Sequence, residues 1–72
     1  MLGQYLRELR KTSQLTCAQM ADQLGCSVAL VSLWERDGSR ISAGQLCRYL
    51  DVLHATVWER DEALRKAGDS VQ

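Results

Sequence analysis

The sequence predicts an all-α fold of five short helices around one core, and three observations lead to it. The 72 residues include no proline and only five glycines. Capping boxes of the form Ser/Thr-x-x-Glu/Gln recur along the chain. Apolar residues fall at helical intervals, with no internal repeat and no alternating strand pattern. At 46% hydrophobic and 25% charged, the composition is far from that of a disordered chain. The length suits one domain near the lower limit for a core without staples. That domain is expected over residues 1–68, with residues 69–72 as a flexible tail.

Leu2, Leu6 and Leu9, with Tyr5 beside them, predict a first helix over residues 2–12. A second opens at the capping box Thr16-Cys-Ala-Gln19, stapled by Leu15 and Met20, with Cys17, Met20, Ala21 and Leu24 on one face. Gly25 follows, where the chain must turn through positive φ. Ser27 caps a third helix over residues 28–35 without a partner three residues on, although Cys26 and Val31 can staple it. Val31 and Trp34 are expected inward, and Val28, Ala29, Leu30 and Leu33 outward. After a loop at residues 36–41 carrying Gly38, the box Ser42-Ala-Gly-Gln45 and the staple Ile41 with Leu46 open a fourth helix. Leu46, Tyr49, Leu50 and Leu53 share its inner side, and His54 terminates it with some benefit from the helix dipole. The box Thr56-Val-Trp-Glu59 opens a fifth helix near Val57, expected to end before Gly68 with Val57, Leu64 and Ala67 inward.

Composition narrows the function classes. No apolar run approaches the roughly 18 residues needed to span a bilayer, and no leader pattern opens the chain, so a soluble cytosolic protein is expected. Cys17, Cys26 and Cys47 form no Cys-x-x-Cys and, with His54 alone, make a poor metal set. They read as small buried thiols, with no metal and no cofactor expected. No cysteine or carboxylate is motif-linked to His54, so no enzyme is expected. Formal net charge is zero. Residues 1–48 nevertheless carry six basic against four acidic side chains, and residues 49–72 three against five.

Two short helices joined by a tight turn at Gly25 have the geometry of a helix-turn-helix, whose second helix can lie in a major groove. Ala21 lets the helices cross closely, and Val31 anchors the second. With "LRELR", "LTCAQMADQLGCS", "VSLWER" and "LCRYLDVL", residues 4–67 resemble the phage repressor and Cro-like, or XRE-type, helix-turn-helix domains. The joint spacing of Arg10, Ala21, Gly25, Ser27, Val31 and Glu35 carries the resemblance.

That resemblance implies a DNA-binding transcriptional regulator, a homodimer on a palindromic operator, encoded by a bacterium or phage and acting in the cytoplasm at the nucleoid. Arg10 and Glu35 correspond to a structural ion pair. Ser27, Val28, Ala29, Ser32 and Leu33 occupy base-reading positions; Thr16, Cys17, Arg36, Ser39 and Arg40 fall at phosphate-contacting ones. Where Cys17 stands the family usually has Gln, Asp37 looks like an extra loop residue, and the proline common before the fourth helix is absent. Val57, Trp58 and Asp61 fall in the dimerising region. Trp34 and Tyr49 read as core, and Trp58 as either the rim of its own domain or a dimer contact.

The reading helix lacks the Gln, Asn, Arg or Ser that usually fill its front. Apolar side chains can still read DNA through the thymine methyl group. The alternative is an exposed apolar patch that binds protein, as in an antirepressor or an antitoxin-like partner.

Overall fold

The computed structural model describes residues 2–38 and 40–69. Ser39, assigned above to phosphate contact, and residues 70–72 of the expected tail lie outside the described residues. Five helices follow in order: α1 (Leu2–Thr12), α2 (Cys17–Leu24), α3 (Val28–Glu35), α4 (Ala43–Val52) and α5 (Val57–Asp69). No strand occurs among the described residues, in keeping with the all-α class.

Each start is held by its cap. Thr16 and Ser42 accept from the backbone N–H groups of Gln19 and Gln45, whose side chains reach back to the cap N–H groups. Thr56 and Glu59 exchange the same two bonds at 3.1 and 2.8 Å. Ser27 accepts from Leu30 N–H at 3.1 Å.

The ends share one device. After α2, Gly25 at φ +70° and Cys26 return N–H bonds to Asp22 and Ala21, the paired bonds of a Schellman motif. The same pair closes α1 with Gln14 left-handed, α3 with Asp37 left-handed and α4 with His54 left-handed.

The core comprises Leu2, Leu6, Met20, Ala21, Leu24, Val31, Trp34, Leu46, Tyr49, Leu50 and Ala63. It draws on all five helices, with α3 packed against both α1 and α2.

Several expectations are corrected. Val57 and Leu64 are 78% and 51% exposed, whereas Ala63 is fully buried. At 100° per residue, the face of α5 that carries Ala63 and the half-buried Glu59 and Ala67 turns Val57 and Leu64 outward. The helix also continues through Gly68 to Asp69, since glycine in an exposed helix costs about 1 kcal/mol and does not by itself stop one. Leu30 packs against the core, because it lies one turn before Trp34 on the inner flank. Cys17 and Cys26 are half-buried and Cys47 is exposed, so the thiols are not uniformly interior.

Candidate nucleic-acid interface

A buried polar cluster fixes α3. Arg10 donates to both oxygens of Glu35, from Nε at 2.7 Å and from Nη2 at 2.9 Å, and its Nη1 donates to the Leu15 carbonyl at 2.7 Å. The Tyr49 hydroxyl donates to Glu35 Oε2 at 2.6 Å. Both charges of the pair are buried, with side chains 8% and 4% exposed. Such a pair is costly to break from one side. The hydrogen bond from Arg10 to Glu35 raises the guanidinium pKa against the opposing effect of burial. Burial, and then the hydrogen bond to Glu35, pushes Tyr49 well above the ordinary phenol value. α1, α3 and α4 thus meet at one carboxylate.

With Val31, Trp34 and Glu35 inward, helical geometry turns Ala29, Ser32 and Leu33 outward, with Val28 at the edge. Val28 is 47% and Leu33 36% exposed; Ser27 and Ala29 are exposed and Ser32 is half-buried. Ala29, Ser32 and Leu33 therefore lie on the outward side of α3, with Val28 at its edge and the cap Ser27 exposed before them. The loop braces part of it. Gly38 N–H donates to the Leu33 carbonyl at 2.8 Å, and a Cβ at Gly38 would lie 3.1 Å from Leu33 Cδ2.

The loop also sorts the charges. Arg36 and Arg40 are exposed, and Arg36 Nε donates to the Ser32 carbonyl at 3.3 Å. The neighbouring acids are both engaged. Glu35 is held by Arg10, and Asp37 Oδ1 accepts from Gly3 N–H at 3.0 Å. Asp37 thereby sits at the N-terminus of α1, where the dipole favours an anion. Gly3 permits this approach, since a Cβ there would meet the Trp34 and Glu35 carbonyls at 2.5 and 2.7 Å. Sequence reading gave no role to Gly3 and treated Asp37 as an extra loop residue, and no local pattern links positions 34 residues apart. The outcome is a chain of zero net charge with exposed arginines at the C-cap of α3 and in the loop that follows.

At the start of α2, Thr16 is exposed and Cys17 half-buried. Cys17 Sγ lies 4.0 Å from Glu35 Oε1, so its side chain points toward the buried pair. The outward-facing donors at this position are backbone N–H groups of the helix N-terminus.

On α5, Trp58 is 84% exposed. It does not wrap the rim of its own domain. Asp61 pairs with Arg65 one turn on, and Val57, Asp61 and Leu64 share one stripe, with Trp58 beside it. No helix among the described residues is long and apolar enough to cross a membrane.

A family model described as a helix-turn-helix domain matches residues 1–63 of the chain. No curated protein and no solved structure matches it. The family match suggests a DNA-binding regulator.

Proposed function

The chain belongs to the helix-turn-helix domain family, and from that premise we propose that it is a repressor/Cro-like, non-enzymatic regulator acting as a dimer on a short palindromic operator. The supporting observation is the sorting of charge around α3. Glu35 and Asp37 are tied to Arg10 and Gly3, while Arg36, whose Nε donates to the Ser32 carbonyl of α3, and Arg40 in the loop that follows are exposed. An α-helix of eight residues is about 12 Å long and enters a major groove about 12 Å wide.

In this reading Ser27, Val28, Ala29, Ser32 and Leu33 approach base edges. Arg36, Ser39 and Arg40 meet one stretch of phosphates, and the α2 N-terminus at Thr16 and Cys17 meets another. Val57, Trp58 and Asp61 pair the two protomers, so that two half-sites multiply a modest specificity. Such a regulator works at the nucleoid of a bacterial or phage-infected cell.

Salt titration of binding to random and selected duplexes tests the proposal. Arg36 and Arg40 from each protomer, four arginines per dimer, predict a slope of log K against log salt of about −4. Absence of binding to any duplex at about 50 mM salt rejects the DNA reading.

One observation favours a second reading. Val28 and Leu33 are exposed apolar residues of one helix, the kind of surface by which an antirepressor or antitoxin-like module holds a protein. That module would bind its partner with no salt-dependent affinity for DNA.

A further inference from the structure

We infer that α3 reads the C5-methyl group of pyrimidines, that of thymine or of 5-methylcytosine, through Ala29 and Leu33 with Val28 at the edge. The inference rests on the proposed DNA binding and names what the helix recognises there.

The first argument is what the surface offers. Bidentate readout of a base needs a fork such as Arg, Asn or Gln, and α3 carries none from Val28 to Glu35. The nearest, Arg36, lies past the last helical residue and donates through Nε to the Ser32 carbonyl. Ser27 Oγ already accepts from Leu30 N–H, and Ser32 is half-buried. The outward arc therefore presents chiefly hydrocarbon.

The second argument is what the groove offers in return. Among groups exposed on base edges in the major groove, the C5-methyl is the apolar one. Leu33 is well placed to meet it, because its Cδ2 lies 3.1 Å from where a Gly38 Cβ would stand and its carbonyl accepts from Gly38 N–H, limiting the freedom lost on binding. The exposed Arg36 at the end of α3 and Arg40 in the next loop supply charge complementary to phosphate and favour DNA as the occupant of this face.

The test measures affinity for a duplex selected from a random pool, using the full chain. Replacing individual thymines with deoxyuridine removes one methyl and leaves every hydrogen-bonding group. At contacted steps affinity should fall about fourfold per methyl, the factor that corresponds to burial of one methylene-sized group. At the same step, a C·G pair should be bound more tightly with 5-methylcytosine than with cytosine, which separates the methyl from the rest of thymine. Leu33→Ala should erase the thymine–deoxyuridine difference at one step. Gly38→Ala, which crowds Leu33, should reduce it without altering the dependence on salt.

Equal affinity of the thymine and deoxyuridine duplexes, or of the cytosine and 5-methylcytosine duplexes, overturns the inference and leaves DNA binding intact. Failure to bind any duplex removes both.

Discussion

The hydroxyl of Tyr49 lies 2.6 Å from Glu35 Oε2, the same oxygen that accepts Arg10 Nε at 2.7 Å. One carboxylate at the end of α3 is thus held by donors from α1 and α4 at once. This geometry shares the negative charge among short, charge-assisted bonds. Among the described residues no buried side-chain nitrogen or oxygen lacks a partner. The apolar surface at the front of α3 therefore stands on a seat fixed from two sides.

Removing the carboxylate should be the more damaging of two changes at this seat. Glu35→Ala strands a buried guanidinium and is expected to cost about 3–5 kcal/mol. Tyr49→Phe loses one bond to a charged group, about 1.5–3 kcal/mol. Urea denaturation measures both, and equal midpoints for the wild type and Glu35→Ala would contradict the burial of the pair.

Stability should also fall in alkali. The phenol of Tyr49 is raised above its unfolded value of 10.0 by burial and by Glu35, so the folded state retains a proton that the unfolded chain releases. The contribution of this group is complete below pH 10 and is lost progressively as pH rises above it. Melting temperatures from pH 8 to 11 should drop more steeply for the wild type than for Tyr49→Phe. Parallel curves would assign the alkaline loss to other groups.

The caps at Thr16, Ser42 and Thr56 were legible because each is a local pattern of residue types. Helix ends were less so. Four helices close with the same paired bonds, yet only Gly25 is the residue that advertises a left-handed backbone; Gln14 and Asp37 do not, and His54 was read as a terminator without its geometry. The family pattern pointed to the pairing of Arg10 with Glu35, but nothing local linked Glu35 to Tyr49, 14 residues away. On α5 the apolar residues Val57 and Leu64 misled the reading, because the small Ala63 is what lets this helix approach α1. The contact of Gly3 with Asp37 joins positions 34 residues apart, and no sequence spacing reveals it.

Gly3→Ala should accordingly destabilise the fold although it raises helix propensity. Its Cβ would lie within 2.5 Å of the Trp34 carbonyl, and overpacking of this kind costs about 1–3 kcal/mol. Asp37→Asn keeps an acceptor for Gly3 N–H and should be milder than Asp37→Ala. Thermal denaturation of the three variants checks the order.

Arg36 and Arg40 should contribute affinity without sequence preference. Arg40→Ala should weaken binding to all duplexes alike and make the salt slope less steep by about 1 per protomer. Leu33→Ala should instead alter preference at one base step with the slope unchanged. Binding measured on the selected duplex and on scrambled ones, each across a range of salt, separates the two effects, and identical behaviour of the two variants would reject the roles given to them.

Pairing of protomers should be weak in solution and visible on DNA. Trp58, Val57 and Leu64 are the large apolar residues exposed on α5. An aromatic side chain buries about 150–250 Å², so these three fall short of the roughly 800 Å² per partner typical of a stable interface. Two adjacent half-sites supply the missing free energy by holding the protomers at high effective concentration. Trp58→Ala should therefore leave the melting temperature almost unchanged, since the ring touches little of its own domain, and should reduce affinity for a full palindrome far more than for a half-site. Sedimentation without DNA and binding to half and full sites measure the two parts. A loss of equal size on both sites would remove Trp58 from the interface and leave its exposure without a role in assembly.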